Sequence, residues 1–360
     1  MLAVRGCGRA APHRVCCAAA AAAATAVPAA LPPTRSWCDP GPPPAFVLPP
    51  VHLSYDAAEA EALLERHVIG SVKGGGAIVL GADTESRPMG FGGDGRVALL
   101  QLATPSAVVL LPLQALAPPA SSPGADTPLP PLLARLLARS NTFLVGVRVR
   151  DDAALLARGC AAPLAATAVD VALAAVRCGV FAPAPGEVLN PASIGLATLI
   201  AALGGPVLSK SRSVTLSNWE RAPLSEAQVQ YAAVDAYVSG WAAAQVYAAH
   251  AARCAVAGAP PPPPLPAWLA AEAVLQAADE AASAARAAAA RKAIDSVLSR
   301  HAGGLSRGAL LSRTRAALPR EKESYVRNTI ERLIRRGVLA RAPGSSGSGT
   351  WVWNAAEGAD

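Results

Sequence analysis

The amino-acid sequence predicts an α/β fold, a mixed sheet of five or six strands flanked by helices, followed by a smaller basic domain. Three observations lead there. Short apolar, β-branched runs come first as successive strands, and after Pro131 they alternate with helical patterns. Beyond a proline-rich stretch, Pro260 to Pro266, the charge turns strongly positive.

Residues 1–40 come first. They carry four Arg and no acidic residue as far as Cys38, the composition of an organellar transit peptide or of a disordered Ala-rich segment. The expected destination is a mitochondrion or plastid, with the nucleus as the alternative. The main domain follows over residues 41–255. From Ala77 the run Ala-Ile-Val-Leu-Gly-Ala-Asp reads as a buried strand, and Val97 to Ala103 and Ala107 to Leu111 as two more, a predicted antiparallel meander. A Pro-, Ser- and Gly-rich loop from Pro118 to Pro131 leads into a helix ending near Arg139. A strand at Phe143 to Val147, a short helix from Asp152 and a strand at Ala166 to Val169 continue the alternation. Helices are expected at Ala172 to Cys178, at Ser193 to Leu203 and from Glu226 to about Ala249. Ser225 with Gln228 three residues on has the spacing of a capping box that would start the last of these.

Residues 256–290 read as a stiff Pro-rich linker and an Ala-rich spacer helix, Ala267 to Ala290. The last domain, residues 291–354, should contain helices at Ala293 to His301, Leu305 to Leu318 and Glu323 to Arg336. A Gly/Ser turn then leads into a strand at Thr350 to Trp353. Three helices followed by a two-stranded wing is the winged helix-turn-helix order.

Composition narrows the function classes. Hydrophobic residues make up 52% of the 360, but Ala and Pro runs inflate that figure and aromatics are only 4%, so one full core and one small one are expected. The net charge of +7 divides unevenly: residues 39–285 carry −5 and residues 286–341 carry +10. An acidic domain joined to a basic one suits a carboxylate metal site coupled to a polyanion-binding surface. Seven cysteines without Cys-x-x-Cys spacing argue against zinc and against a disulfide framework. No stretch has the length and bulk of a membrane span, so no membrane association is expected.

Two groups of residues carry chemistry. Asp83 and Glu85 lie two apart at a predicted strand end, so their side chains share a face and can share a hard cation. Tyr231 and Asp235 lie at i and i+4 on the last long helix, one above the other. Phosphodiester hydrolysis by two divalent ions needs several carboxylates converging from separate elements, and these elements could supply them.

Three blocks then resemble the DEDDy branch of the DnaQ-like exonucleases, in particular the Werner-type exonuclease and ribonuclease D group. The first is Gly81-Ala82-Asp83-Thr84-Glu85 with Arg96-Val97-Ala98-Leu99-Leu100-Gln101-Leu102-Ala103. The second is Val145-Gly146-Val147 leading to Asp151-Asp152. The third is Ser217-Asn218-Trp219-Glu220 with Leu224 to Gln228 and Tyr231-Ala232-Ala233-Val234-Asp235. The resemblance runs from about Val51 to about Tyr247. It implies a ribonuclease H-like sheet and 3′-to-5′ exonuclease activity releasing 5′-monophosphates. It also implies two divalent ions, Mg²⁺ or Mn²⁺, held by Asp83, Glu85, Asp152 and Asp235, with Tyr231 positioning or helping to deprotonate the attacking water. Asp152 is preferred to Asp151 because it keeps the family's six-residue step from Gly146 and the leucine four residues later, Leu156. Arg148 and Arg150 depart from the family, which often has small or apolar residues there.

Other residues have plainer readings. Asp170 is expected to cap a helix and Trp219 to pack in the core. Lys210 and Arg212 are candidate contacts to substrate phosphates, or members of a solvated loop. In the basic domain, Arg327, Arg332, Arg335 and Arg336 line the third helix and are candidate nucleic-acid contacts, with protein contact as the alternative. The expected partner is DNA or RNA with a free 3′ end. The sequence contains no phosphate-cradle motif, so any duplex opening would fall to a separate helicase. The competing function is a catalytically silent nucleic-acid-binding or adaptor protein on the same fold.

Overall fold

The computed structural model describes Trp37 and residues 47–72, 75–87, 96–117, 127–160, 164–182, 193–209, 211–301, 304–342 and 350–353. The Gly90 to Gly95 loop, Lys210 and, apart from Trp37, the proposed N-terminal targeting segment lie outside these residues.

The centre is a six-stranded mixed sheet. Strands β2 (Ile78–Ser86), β3 (Val97–Ala103) and β4 (Val108–Pro112) form the antiparallel meander. β1 (Val51–Leu53) joins β4 in parallel, and on the other side β5 (Thr142–Gly146) and β6 (Thr167–Asp170) extend β2 in parallel, giving the order β1-β4-β3-β2-β5-β6. Parallel pairs need a crossover, and the helix following β5, α4 (Val149–Gly159), provides one.

Period-two alternation divides the strand residues between two cores. Ile78, Leu80 and Ala82 pack with α1 (Ala57–Leu64), the short α2 (Leu113–Leu116), α3 (Pro131–Leu137) and α4 on one face. Val79, Leu99 and Ala103 face the other side. There they meet α5 (Val171–Arg177), α6 (Leu196–Ala202) and the long α8 (Glu226–Val256); a short α7 (Arg212–Thr215) lies between these two last helices in the chain. The capping box at Ser225 and Gln228 starts α8, and Asp170 caps α5 through Ala172 N–H and Leu173 N–H, as the sequence predicts.

Trp37 packs into the main core. It lies in the segment assigned to the N-terminal 40 residues, yet it is buried beside Tyr237, and its Nε1 donates to the Ala103 carbonyl at 3.2 Å. A large ring with one polar atom gains most from a site that is apolar and offers one acceptor.

The C-terminal half differs from expectation in one helix. The spacer helix and the helix beginning at Ala293 are a single element, α9 (Leu265–Ser299), because no Gly or Pro interrupts residues 267–299. Its first turns bury Leu265, Trp268 and Leu269 in the main core. Its last turns bury Ile294, Val297 and Leu298 with α10 (Arg307–Ala317) and α11 (Glu323–Arg335). A small antiparallel sheet of β7 (Leu305–Ser306), β9 (Thr350–Trp353) and β8 (Leu339–Arg341) completes this second core; β7 was not predicted. Among the described residues no helix is long and apolar enough to cross a membrane.

Candidate active site

The site follows from where β2 outruns its neighbour. The β2–β5 register ends at Gly81 opposite Val145, so β2 runs on past the end of its pairing with β5 from Ala82 to Ser86. Alternation sends Asp83 and Glu85 to the α8 face and Thr84 to the α4 face. The chain beyond β5 turns into α4, whose Asp152 receives the Thr84 hydroxyl at 2.5 Å. A cavity of about 360 Å³ opens there, lined by Asp83, Glu85, Asp152, Tyr231 and Asp235 together with Asp151 and Arg148. All five residues expected to do chemistry therefore share one cavity, contributed by β2, α4 and α8.

Helix α8 reaches β2 because Gly81 has no side chain. A Cβ at Gly81 would stand 2.1 Å from the Ala236 carbonyl oxygen and 2.6 Å from the Gly240 nitrogen. The approach presents one face of α8 at four-residue steps, Tyr231, Asp235 and Ser239, to the cavity. Ser239 and Thr215 were not anticipated, although Ser239 continues the spacing that singled out the first two.

The third sequence block buttresses Tyr231. Trp219 is fully buried, donates from Nε1 to the Thr215 carbonyl at 3.3 Å, and its ring centroid lies 6.1 Å from that of Tyr231. Gln228 Nε2 donates to Ser217 Oγ at 2.9 Å and to the Asn218 carbonyl at 3.1 Å, tying the loop to the first turn of α8. Glu220 accepts from Arg87 at 3.2 Å and Gln114 at 3.1 Å, which ties the same loop to the end of β2.

Electrostatics follow from burial and from acids facing one another. Burial raises the Asp152 pKa, with the Thr84 hydrogen bond opposing it and the Asp151 carboxylate adding to it. Burial, then the Asp235 carboxylate, push the Tyr231 phenol far above its ordinary range, so it is neutral at physiological pH. Opposite Asp83 on β3, Gln101 is fully buried and its amide has no hydrogen-bond partner among the described residues. In the sequence Gln101 is marked only as a polar residue within an apolar strand.

The donors lining the cavity are carboxylates and hydroxyls, with no His or Cys. Such a set suits hard divalent cations and not zinc. Among the described residues no three His, Cys, Asp or Glu side chains are gathered closely enough to form a finished metal cage, so the carboxylates would have to draw in around an ion.

The other candidates lie apart from the cavity. Arg212 opens α7, exposed, on the loop bordering an apolar cavity of about 370 Å³ that shares Tyr231 and Asp235 with the acidic one. Arg327 is paired with Glu323 at 2.6 Å, while Arg332, Arg335 and Arg336 are exposed at the C-terminal end of α11.

A six-stranded mixed sheet with acidic residues at the end of its second strand is the layout of DEDD-type nucleases of the ribonuclease H-like fold. The pattern of the 3′-5′ exonuclease family matches residues 51–239, over half of the chain, and the chain belongs to that family. Over 166 residues it is 34% identical to the human exonuclease mut-7 homolog, a match covering 44% of this chain and 19% of that protein. The chain thus spans about a fifth of that relative's length. Among solved structures it is similar to the Aedes aegypti Nibbler EXO domain, at 22% identity over 61% of this chain and 95% of that one, with a TM-score of 0.44. It is also similar to the catalytic core of Trypanosoma brucei RRP6, at 15% identity over 57% and 48%, with a TM-score of 0.41.

Proposed function

We propose that the protein is a metal-dependent 3′-to-5′ exonuclease of the DEDDy subclass that removes nucleotides from DNA or RNA 3′ ends and releases 5′-monophosphates. The observation that carries this reading is the single cavity holding Asp83, Glu85, Asp152, Asp235 and Tyr231. When bound there, two Mg²⁺ or Mn²⁺ ions would supply the positive charge that offsets the scissile phosphate and favours ionisation of water. Asp83, Glu85 and Asp235 would hold the first ion, with Asp83 reaching the second, and Asp152 would leave Thr84 to complete the second site. Tyr231, packed against Trp219, would position the attacking water by hydrogen bonding or help to deprotonate it.

Residues 291–354 act in this reading as a winged-helix-like domain that raises affinity for the polymer through Arg332, Arg335 and Arg336, and Lys210 and Arg212 are further candidate phosphate contacts. A separate helicase would supply single-stranded ends from duplexes. An organelle is the proposed site of action.

The test is cleavage of a 5′-labelled 3′-recessed DNA duplex and a 5′-labelled single-stranded RNA with Mg²⁺ or Mn²⁺. A descending ladder is expected, abolished by EDTA and by Asp83→Ala, and slowed about 10²-fold or more by Tyr231→Phe. Binding of both polymers with no ladder on either would replace the exonuclease by a silent binding module.

A further inference from the structure

We propose that the guanidinium of Arg148 binds a backbone phosphate of the nucleic-acid substrate at the carboxylate cavity. The proposal rests on the nuclease reading of that cavity and adds to it a cationic contact that the family resemblance does not assign.

Arg148 is the single cation among the residues lining the cavity, where five acidic side chains meet. A polyanion entering such a site is repelled unless something positive meets it. The residue's backbone is unusual. With φ 62° and ψ 18° it is the one non-glycine residue at positive φ among the described residues. Glycine would adopt that conformation without strain, so the backbone alone gives no reason for an arginine.

The strained turn is firmly held. Arg148 N–H donates to Asp170 Oδ2 at 2.7 Å, while Asp170 Oδ1 caps α5. Asp170 in turn exchanges two 2.9 Å hydrogen bonds with the Gln276 amide, through its backbone nitrogen and carbonyl. The side chain, by contrast, is uncommitted. Arg148 is exposed, and among the described residues its guanidinium enters no ion pair, although it lies near enough to Asp152 and Asp170 to favour their charged forms. Arg150, two residues on, shows the alternative: its guanidinium is bound to Glu280 of α9 at 2.6 Å, a structural use. Arginine is suited to phosphate because its planar fork can donate two parallel hydrogen bonds.

The experiment uses the full chain with three substitutions. Arg148→Gly suits the left-handed backbone and removes the guanidinium, Arg148→Asn also tolerates that region, and Arg148→Lys keeps a point charge. Binding of a 5′-fluorescein-labelled single-stranded oligonucleotide is followed by anisotropy in EDTA across a KCl series, and cleavage is followed separately with Mn²⁺.

For Arg148→Gly and Arg148→Asn we expect roughly tenfold weaker binding at low salt. The slope of log K against log salt should become shallower by about 0.7, the loss of one phosphate contact on a single strand. KM should rise about tenfold and Tm should not fall for Arg148→Gly, while Arg148→Lys should keep the slope and recover part of the affinity. A merely structural role would lower Tm and leave the salt slope alone. Wild-type cleavage with unchanged slope and KM in both Arg148→Gly and Arg148→Asn overturns the proposal while leaving the exonuclease standing. A reduced slope in the variants of a protein whose wild type binds but never cleaves supports the phosphate contact and sinks the exonuclease. An oligonucleotide that the wild type neither binds in EDTA nor cleaves with Mn²⁺ overturns both.

Discussion

Helix α8 buries Ala232, Ala236, Ala243 and ten further residues of its 31 against the sheet and its cover, and Asp235 with them. Helix α9, at 35 residues and similarly rich in alanine, is exposed on every side over residues 277–289. Alanine allows close packing without causing it. What differs is the partner. α8 lies over a strand that has a glycine at the crossing, and its own Gly240 would set a Cβ 2.6 Å from the Trp37 ring. α9 seats only its start, Leu265, Trp268 and Leu269, in the main core, and beyond that docks by polar anchors: Gln276 on Asp170, and Arg177 on Glu272 at 3.1 Å and on Asp279 at 3.1 Å. One helix is set by shape along its length, the other, past its first turns, by paired polar groups.

The largest effect should come from spoiling the shape. In Gly81→Ala the new methyl meets backbone of α8, which cannot rotate away, so the helix must lift and take Asp235 and Tyr231 from Asp83 and Glu85. Overpacking of this kind costs about 3 kcal/mol or more, which should lower Tm by roughly 6–12 °C, and nuclease activity should fall with it. Thermal denaturation followed by circular dichroism checks this. An unchanged Tm would mean that α8 is not seated by the glycine contact.

This contrast also marks what could be read from sequence. The meander, the helix-strand alternation and the pairs Asp83/Glu85 and Tyr231/Asp235 were legible because strand and helix periods fix which side chains share a face. Family spacing favours Asp152 over Asp151, whereas its hydrogen bond from Thr84 has no signal in the sequence. α9's docking was not legible: an Ala-rich run with scattered charges gives no apolar stripe, and the partners of Gln276 and Glu272 lie about a hundred residues away in the chain. Trp37 was hidden for a related reason, since its site is made by residues near 103 and 237. The left-handed backbone of Arg148 has no sequence signal at all, beyond an arginine where the resembled family often has a small or apolar residue.

Next in size is the polar anchor. Gln276→Leu leaves the buried N–H and carbonyl of Asp170 unpaired, at about 1–3 kcal/mol each, and should loosen α9 where it covers α5. Cys178 lies at that seam, and burial followed by the Glu272 carboxylate pushes its thiol up to about 11, which leaves little thiolate at neutral pH. In the wild type, Cys178 should alkylate far more slowly than an ordinary exposed thiol at pH 7.5, read by peptide mass spectrometry. Gln276→Leu should accelerate it. Equal rates in the two proteins would show that the hydrogen bonds to Asp170 are not what holds α9 down.

Gln101 should respond with the opposite sign. It lies on the α8 side of β3, fully buried like Gln276, but without a hydrogen-bond partner among the described residues. Removing an unsatisfied buried amide is neutral or stabilising by roughly 1–2 kcal/mol, so Gln101→Leu should hold or raise Tm in urea or thermal melts while Gln276→Leu lowers it. A Gln101→Leu protein destabilised as much as Gln276→Leu would mean that the two amides are equally well satisfied and that the α8 side is not purely a matter of shape.

The smallest effect is expected in the exposed middle of α9. Ala284 touches neither core, so Ala284→Gly should cost only helix propensity, about 1 kcal/mol. That loss should be felt locally, as faster amide hydrogen exchange over residues 277–289, with the main melting transition unmoved. The same substitution in α8 at Ala236, over Gly81, would instead act on the core. If Ala284→Gly lowered the main transition as well, the exposed stretch would be transmitting stability between the acidic domain and the basic one. The two ends of α9 would then have to be treated as one cooperative unit, in which a change at the α11 end could reach Gln276, Asp170 and the turn at Arg148.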